Sequence, residues 1–165
     1  MESIYVDLAS TPGAYSQMES IYTNLAPTPG AYSQGVLVDP TTHKLLFLAG
    51  QTGNDKSREG EAVVDGGVGP QTTQTLKNML AVVKAAGGDA NSFVSMDVFL
   101  KDSDDRKGSR EAYDAAYRAF FAEHGRTKEK GNMPARVQVW VSEVPWEFPL
   151  EDTVVEIRGI AAILR

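Results

Sequence analysis

Cysteine is absent from this 165-residue chain. Its absence excludes disulfides, thiolate nucleophiles and Cys-ligated zinc, and it agrees with a reducing compartment. Only two histidines occur, His43 and His124. Neither lies in a metal-ligand spacing, so no metal site is expected. No apolar run approaches the roughly 20 residues that a membrane helix needs. No basic stretch followed by an apolar core stands at the N-terminus, so a secretory signal is not expected and a cytoplasmic location is. Positive charge is in deficit: 16 Lys and Arg face 22 Asp and Glu, for a net charge of −6. Non-specific nucleic-acid binding needs a basic surface, so neither a nucleic acid nor a membrane is an expected partner. A phosphate-binding signature is missing too. Asp65-Gly66-Gly67-Val68-Gly69 lacks the lysine and spacing of a P-loop and reads as turns. No organic cofactor is expected.

What is present is an ordinary globular composition, 42% hydrophobic and 23% charged, in a length that suits one domain with a real core. The N-terminus holds a tandem repeat. Residues 1–17 read MESIYVDLASTPGAYSQ and residues 18–34 read MESIYTNLAPTPGAYSQ. Only the second copy continues into the strand-like Gly35-Val36-Leu37-Val38. Two short copies do not build a solenoid. The expected division is a duplicated appendage over 1–17 and one domain over 18–165. The other reading makes the first copy a gate or intersubunit arm in which Tyr15 imitates Tyr32.

Asp39-Pro40-Thr41-Thr42 reads as a turn between a strand at 35–38 and one at 44–49. Residues 54–69 read as a loop. Pro70 suits a helix start. Leu76, Met79, Leu80 and Val83 recur at helical spacing before Gly87-Gly88 closes the helix. Residues 93–100 read as a strand, 101–109 as a charged loop, and 110–124 as a second helix with Tyr113, Tyr117 and Phe120 or Phe121 inward. Strands around Arg136 and Glu156 end the chain. The order is ββαβαββ, an α+β class with a single mixed sheet and both helices on one face. On the Arg136 strand, Val137, Val139 and Val141 share one face, with Gln138 and Trp140 on the other. The bulk of Trp140 predicts that its face is covered by another subunit.

Candidate chemistry centres on Pro134-Ala135-Arg136. Proline suits a strand entrance because it cannot donate to the ladder. The arginine after it offers a planar fork that fits a carboxylate. Read alone, Arg136 fits a ligand clamp and a surface arginine paired with a local carboxylate equally well. Glu156 places a carboxylate in an apolar strand, where it is either solvated or positioned to activate water. Tyr32 follows the Pro29-Gly30 turn as a cleft wall or a packing aromatic. Gly50 and Gln51 follow an apolar strand, and glycine there either permits close backbone approach to a ligand or serves a turn.

Taken in order, several pieces carry a resemblance: Gly30-Ala31-Tyr32-Ser33-Gln34-Gly35-Val36, Ala49-Gly50-Gln51-Thr52-Gly53, Gln71 with Gln74-Thr75-Leu76-Lys77-Asn78, Ala85-Ala86-Gly87, Phe99-Leu100-Lys101-Asp102, Pro134-Ala135-Arg136 and Val155-Glu156-Ile157. Over roughly residues 20–165 the chain resembles the reactive intermediate deaminases, also called YjgF or Rid proteins. The resemblance implies a chorismate-mutase-like domain packed as a homotrimer with ligand clefts between subunits. It implies cofactor-independent hydrolysis of a carboxylate-bearing enamine or imine, such as 2-iminobutyrate, to a 2-keto acid and ammonia. Arg136 would clamp the substrate carboxylate and Glu156 would orient the attacking water. Tyr32 and backbone groups near Gly50 and Gln51 would line the cleft, with Asp114 and Gln138 at further substrate-facing positions. Departures from the family pattern stand at Ala49, where many members carry a hydroxyl, at Asp114, where asparagine is frequent, and at Gln138, where some carry cysteine. The hairpin around Trp146-Glu147-Phe148-Pro149-Leu150 is enlarged. These departures keep open a specialised enzyme for a larger unsaturated or cyclic acid, and a non-catalytic small-molecule-binding trimer. A ribonuclease is disfavoured by the acidic balance and the lack of a His/Lys acid-base set.

Overall fold

The computed structural model describes residues 18–144 and 152–165. The first repeat copy, with Tyr15, and the Trp146 to Leu150 extension lie outside the described residues.

Among the described residues, six strands and two long helices follow in the order β1 (Glu19–Ile21), β2 (Gly35–Leu37), β3 (His43–Gln51), α1 (Val68–Ala85), β4 (Phe93–Lys101), α2 (Arg106–Glu123), β5 (Ala135–Val141) and β6 (Val155–Leu164). The main sheet has the order β3-β6-β4-β5. It is mixed: β6 runs antiparallel to both β3 and β4, whereas β4 and β5 are parallel. A parallel pair needs a crossover, and α2 supplies it. The α+β class with two helices against a mixed sheet therefore holds. One detail differs from the sequence reading. The strand expected at 35–38 forms, but it pairs with the short β1 as a separate two-stranded ribbon.

Helix α1 starts two residues before Pro70, which remains in the first turn where its missing N–H costs nothing. Its end is a Schellman motif. Gly88 N–H donates to Val83 O at 2.9 Å and Gly87 N–H to Lys84 O at 3.0 Å, with Gly87 at φ +88°. Helix α2 begins at Arg106, four residues earlier than its apolar spacing predicts. Asp105 caps it by accepting from Gly108 N–H at 2.8 Å. A Cβ at position 108 would lie 2.1 Å from the Asp105 carboxylate, so glycine makes the cap possible. The charged stretch before Arg110 concealed this turn.

The core lies between sheet and helices. Leu76, Met79 and Val83 of α1 and Tyr113, Tyr117 and Phe121 of α2 meet Met96, Val98 and Leu100 of β4 and Val155, Ile157 and Ala161 of β6. Each fully buried apolar side chain contributes about 1.5–3 kcal/mol of transfer free energy. The other face of the sheet is open in the single chain. Leu45 and Phe47 of β3 and Val137 and Val139 of β5 are exposed there, Phe47 at 72%.

This corrects the expectation for Trp140. The alternation along β5 is as read, but the faces are reversed. Trp140 lies on the helix side, packed against the core, with the Arg106 guanidinium 5.9 Å from its ring centroid. The valines occupy the uncovered face. Bulk did not reveal which face a helix would cover, because α2 crosses over this edge strand.

Candidate functional site

Arg136 is the second residue of β5 and pairs with Met96 of β4, whose side chain is in the core. The guanidinium therefore points to the helix side. It is only 7% exposed, and its Nη1 donates to Asp114 Oδ1 at 3.2 Å. Three tyrosines surround it. Its Cζ lies 4.6 Å from the ring centroid of Tyr117, 5.1 Å from that of Tyr113 and 5.9 Å from that of Tyr32, within cation–π range. Burial disfavours the charge, but the oxygens of Tyr113, Tyr117 and Asp114 outweigh it and raise the pKa above that of an ordinary arginine. The cation is fixed.

The sequence places Tyr113 and Asp114 on one turn of α2 and Tyr117 one turn later, so helical spacing brings all three to β5. Tyr32 arrives separately. Ser33 N–H donates to Pro134 O at 3.1 Å and the Ser33 hydroxyl donates to Met133 O, which ties the repeat's second copy to the Arg136 strand. Gly30 matters locally: a Cβ there would meet the Tyr32 ring at 2.5 Å and Arg136 Nη2 at 3.7 Å. Gln138, two residues along β5, shares the Arg136 face and is half-buried. Arginine, Asp114, Tyr32 and Gln138 thus gather on one side of the sheet.

The hydroxyls of Tyr113 and Tyr117 are buried without a hydrogen-bond partner among the described residues. Burial pushes both phenols up, so both stay protonated and are donors. Sequence reading took these tyrosines for core residues. The signal available was their polar tips at i, i+4, where a plain core helix would carry leucine.

Glu156 is elsewhere. It pairs with Phe99, on β6, and alternates with the core residues Val155 and Ile157. Its side chain consequently lies on the open face, opposite to Arg136. Gly50 sits directly beneath it: a Cβ at position 50 would be 1.8 Å from Glu156 Oε1. The Glu156 carboxylate makes no hydrogen bond or ion pair among the described residues, which leaves its oxygens open to water. Gln51 Nε2 donates to Gly50 O at 3.0 Å. Glu156, Gly50 and Gln51 form a second group, and one chain does not unite it with the first.

Polar residues of α1 hold this second group in place. The Gln71 amide donates to Asp152 O at 2.8 Å and accepts from Val154 N–H at 2.9 Å, fixing the entrance of β6 two residues before Glu156. Asn78 Nδ2 donates to Thr52 O at 3.0 Å and Asn54 O at 2.9 Å, fixing the turn after Gln51. Gln74 in turn donates to Asn78 Oδ1 at 2.9 Å. Among the described residues no cluster of His, Asp and Glu is arranged to hold a metal, and no helix is long and apolar enough to cross a membrane.

The family described as Endoribonuclease L-PSP, the YjgF/Rid group, matches residues 23–163. The chain belongs to this family. Among its Rid relatives, the human 2-iminobutanoate/2-iminopropanoate deaminase is 37% identical over 126 residues, covering 76% of this chain and 79% of the relative. The crystal structure of the YjgF gene product of E. coli shares 33% identity and superimposes with a TM-score of 0.59, covering 84% of this chain and 91% of that one. A structure of E. coli TdcF with bound serine is 30% identical, with a TM-score of 0.56, covering 89% of this chain and 98% of that one.

Proposed function

We propose that this Rid-family protein is a cofactor-independent imine deaminase that hydrolyses a small 2-imino acid, such as 2-iminobutanoate, to its 2-keto acid and ammonia in the cytoplasm. The observation that carries this reading is the pair of prepared groups: a caged, charged Arg136 and a Glu156 carboxylate without a partner among the described residues. The relatives named as deaminases support it.

Arg136 takes the substrate carboxylate through the donors that Asp114 leaves free. Glu156 accepts a proton from water as the water oxygen bonds to the imine carbon. The C=N bond becomes a C–N bond. Glu156 passes its proton to the nitrogen, which leaves as ammonia, and the hydroxyl returns a proton to Glu156 as the C=O bond forms. Atoms and charge balance without an oxidant or reductant. Tyr32 closes one wall, Gly50 and Gln51 present backbone, and Gln138 lies next along β5.

Because Arg136 and Glu156 lie on opposite faces of one sheet, a site containing both takes them from two copies of the chain. The open face with Leu45, Phe47, Val137 and Val139 suits burial between such copies. A closed homotrimer is the assembly in this reading, with residues 1–17 an appendage to the domain over 18–165. Ribonuclease action fits less well, since the chain carries a net charge of −6.

The deciding assay is ammonia release from freshly generated 2-iminobutanoate. Acceleration above the uncatalysed rate is expected at micromolar protein, and its absence would sink the reading. A subtler test is Gly50→Ala. The added methyl collides with Glu156 Oε1, and the carboxylate must shift by about 1 Å, a displacement that costs on the order of 100-fold in rate. Turnover should fall while the thermal midpoint stays within a few degrees.

A further inference from the structure

Asp114 gives the Arg136 pocket a charge pattern of its own. Its Oδ1 already occupies Arg136 Nη1 at 3.2 Å, with Asp114 25% and the guanidinium 7% exposed. Arg110 also approaches Asp114, with Nε 3.8 Å from Oδ2, but Arg110 is 67% exposed and its charge is screened by water. Arg136 and Asp114 therefore sum to zero. A bare carboxylate added to the free Arg136 donors puts two anions on one largely buried cation, where like charges repel more strongly than in water. A ligand that brings a cationic N–H beside its carboxylate restores neutrality, and its nitrogen has an acceptor in Asp114. Asparagine at this position would supply neither the repulsion nor the charged acceptor.

A second observation points the same way. The buried hydroxyls of Tyr113 and Tyr117 flank the guanidinium and lack partners among the described residues. Buried donors without acceptors are unfavourable, and a ligand oxygen is the kind of atom that relieves them. The Arg136 surroundings thus combine a guanidinium, two buried phenols and one carboxylate acceptor, Asp114.

We infer that Asp114 is a specificity-determining residue that selects zwitterionic ligands, carrying a carboxylate and a protonated imine or amine on adjacent carbons, over simple 2-keto acid anions. This rests on the assignment of Arg136 as the carboxylate clamp. It adds a direct consequence: the protonated imine is favoured on entry, and the keto acid product, which lacks the cation, is released readily.

The test compares 2-oxobutanoate and L-2-aminobutanoate by titration calorimetry on the wild-type protein, Asp114→Asn and Arg136→Ala. The wild-type protein should prefer the amino acid. Asp114→Asn should move the preference toward the oxo acid on the order of tenfold, since removing the like charge removes the penalty. Arg136→Ala should weaken both ligands. An unchanged preference in Asp114→Asn, with both ligands still weakened by Arg136→Ala, overturns the role of Asp114 and leaves the clamp intact. Equal binding of both ligands to wild type and Arg136→Ala overturns the clamp itself. The ratio of two affinities is a readout that a general loss of folding would not shift.

Discussion

Arg136→Ala should lower turnover of 2-iminobutanoate by about a thousandfold, the scale expected when a preorganised charged donor is removed from a reacting site. The fold should survive. Asp114 loses its partner in this variant, but at 25% exposure water can solvate it. Tyr113, Tyr117 and Tyr32 lose a cation–π neighbour, an interaction of about 0.5–2 kcal/mol apiece at most. Arg136→Lys should recover little, since an ammonium offers no planar fork and stacks poorly on the tyrosine rings. Turnover measured beside a denaturation midpoint separates the two effects. Wild-type turnover in the alanine variant would end the assignment.

Glu156→Gln should cost roughly 100- to 1,000-fold in kcat, within the range typical of a positioned general base. The amide retains the shape above Gly50 and removes the charge that polarises water. Binding of a keto acid should persist, since Arg136, and not Glu156, holds the carboxylate. The geometry adds a sharper expectation. Arg136 and Glu156 of one chain are on opposite faces, so the proposed site takes them from different copies. Co-assembled Arg136→Ala and Glu156→Gln subunits should then regain part of the turnover that each lacks alone, because some interfaces combine an intact arginine with an intact glutamate. Two inactive proteins that remain inactive after subunit mixing would overturn the shared site between copies.

The residues named from sequence divide into those that periodicity could place and those it could not. Strand alternation put Gln138 with Arg136, and helical spacing put Leu76, Met79 and Val83 in the core. The Gly87-Gly88 pair gave the helix end, because a left-handed residue followed by the Schellman pattern is a local requirement. What alternation does not contain is which face a later helix will cover, and there the expectation for Trp140 failed. The tyrosine cage was hidden for a related reason. Tyr113 and Tyr117 fit an inward helical stripe, and nothing local to α2 says that an arginine some twenty residues later will stack on them. Asp114 was marked as a site residue from its position in the family pattern. Its ion pair with Arg136 depends on how α2 packs over β5, which no local pattern contains.

The amide of Gln71 carries a last consequence. It joins α1 to the backbone just before Glu156 across 83 residues of sequence, with one donor and one acceptor both used. Ordering a backbone segment costs about 1–2 kcal/mol per residue in conformational entropy. At the approach to Glu156 that loss is incurred when the chain folds, together with the docking of α1, and it does not recur at each encounter with a ligand. A fixed backbone at the approach to Glu156 is thus a by-product of helix packing. The timing of its loss should follow the melting of α1, so the protein would lose its chemistry and its core in one cooperative step.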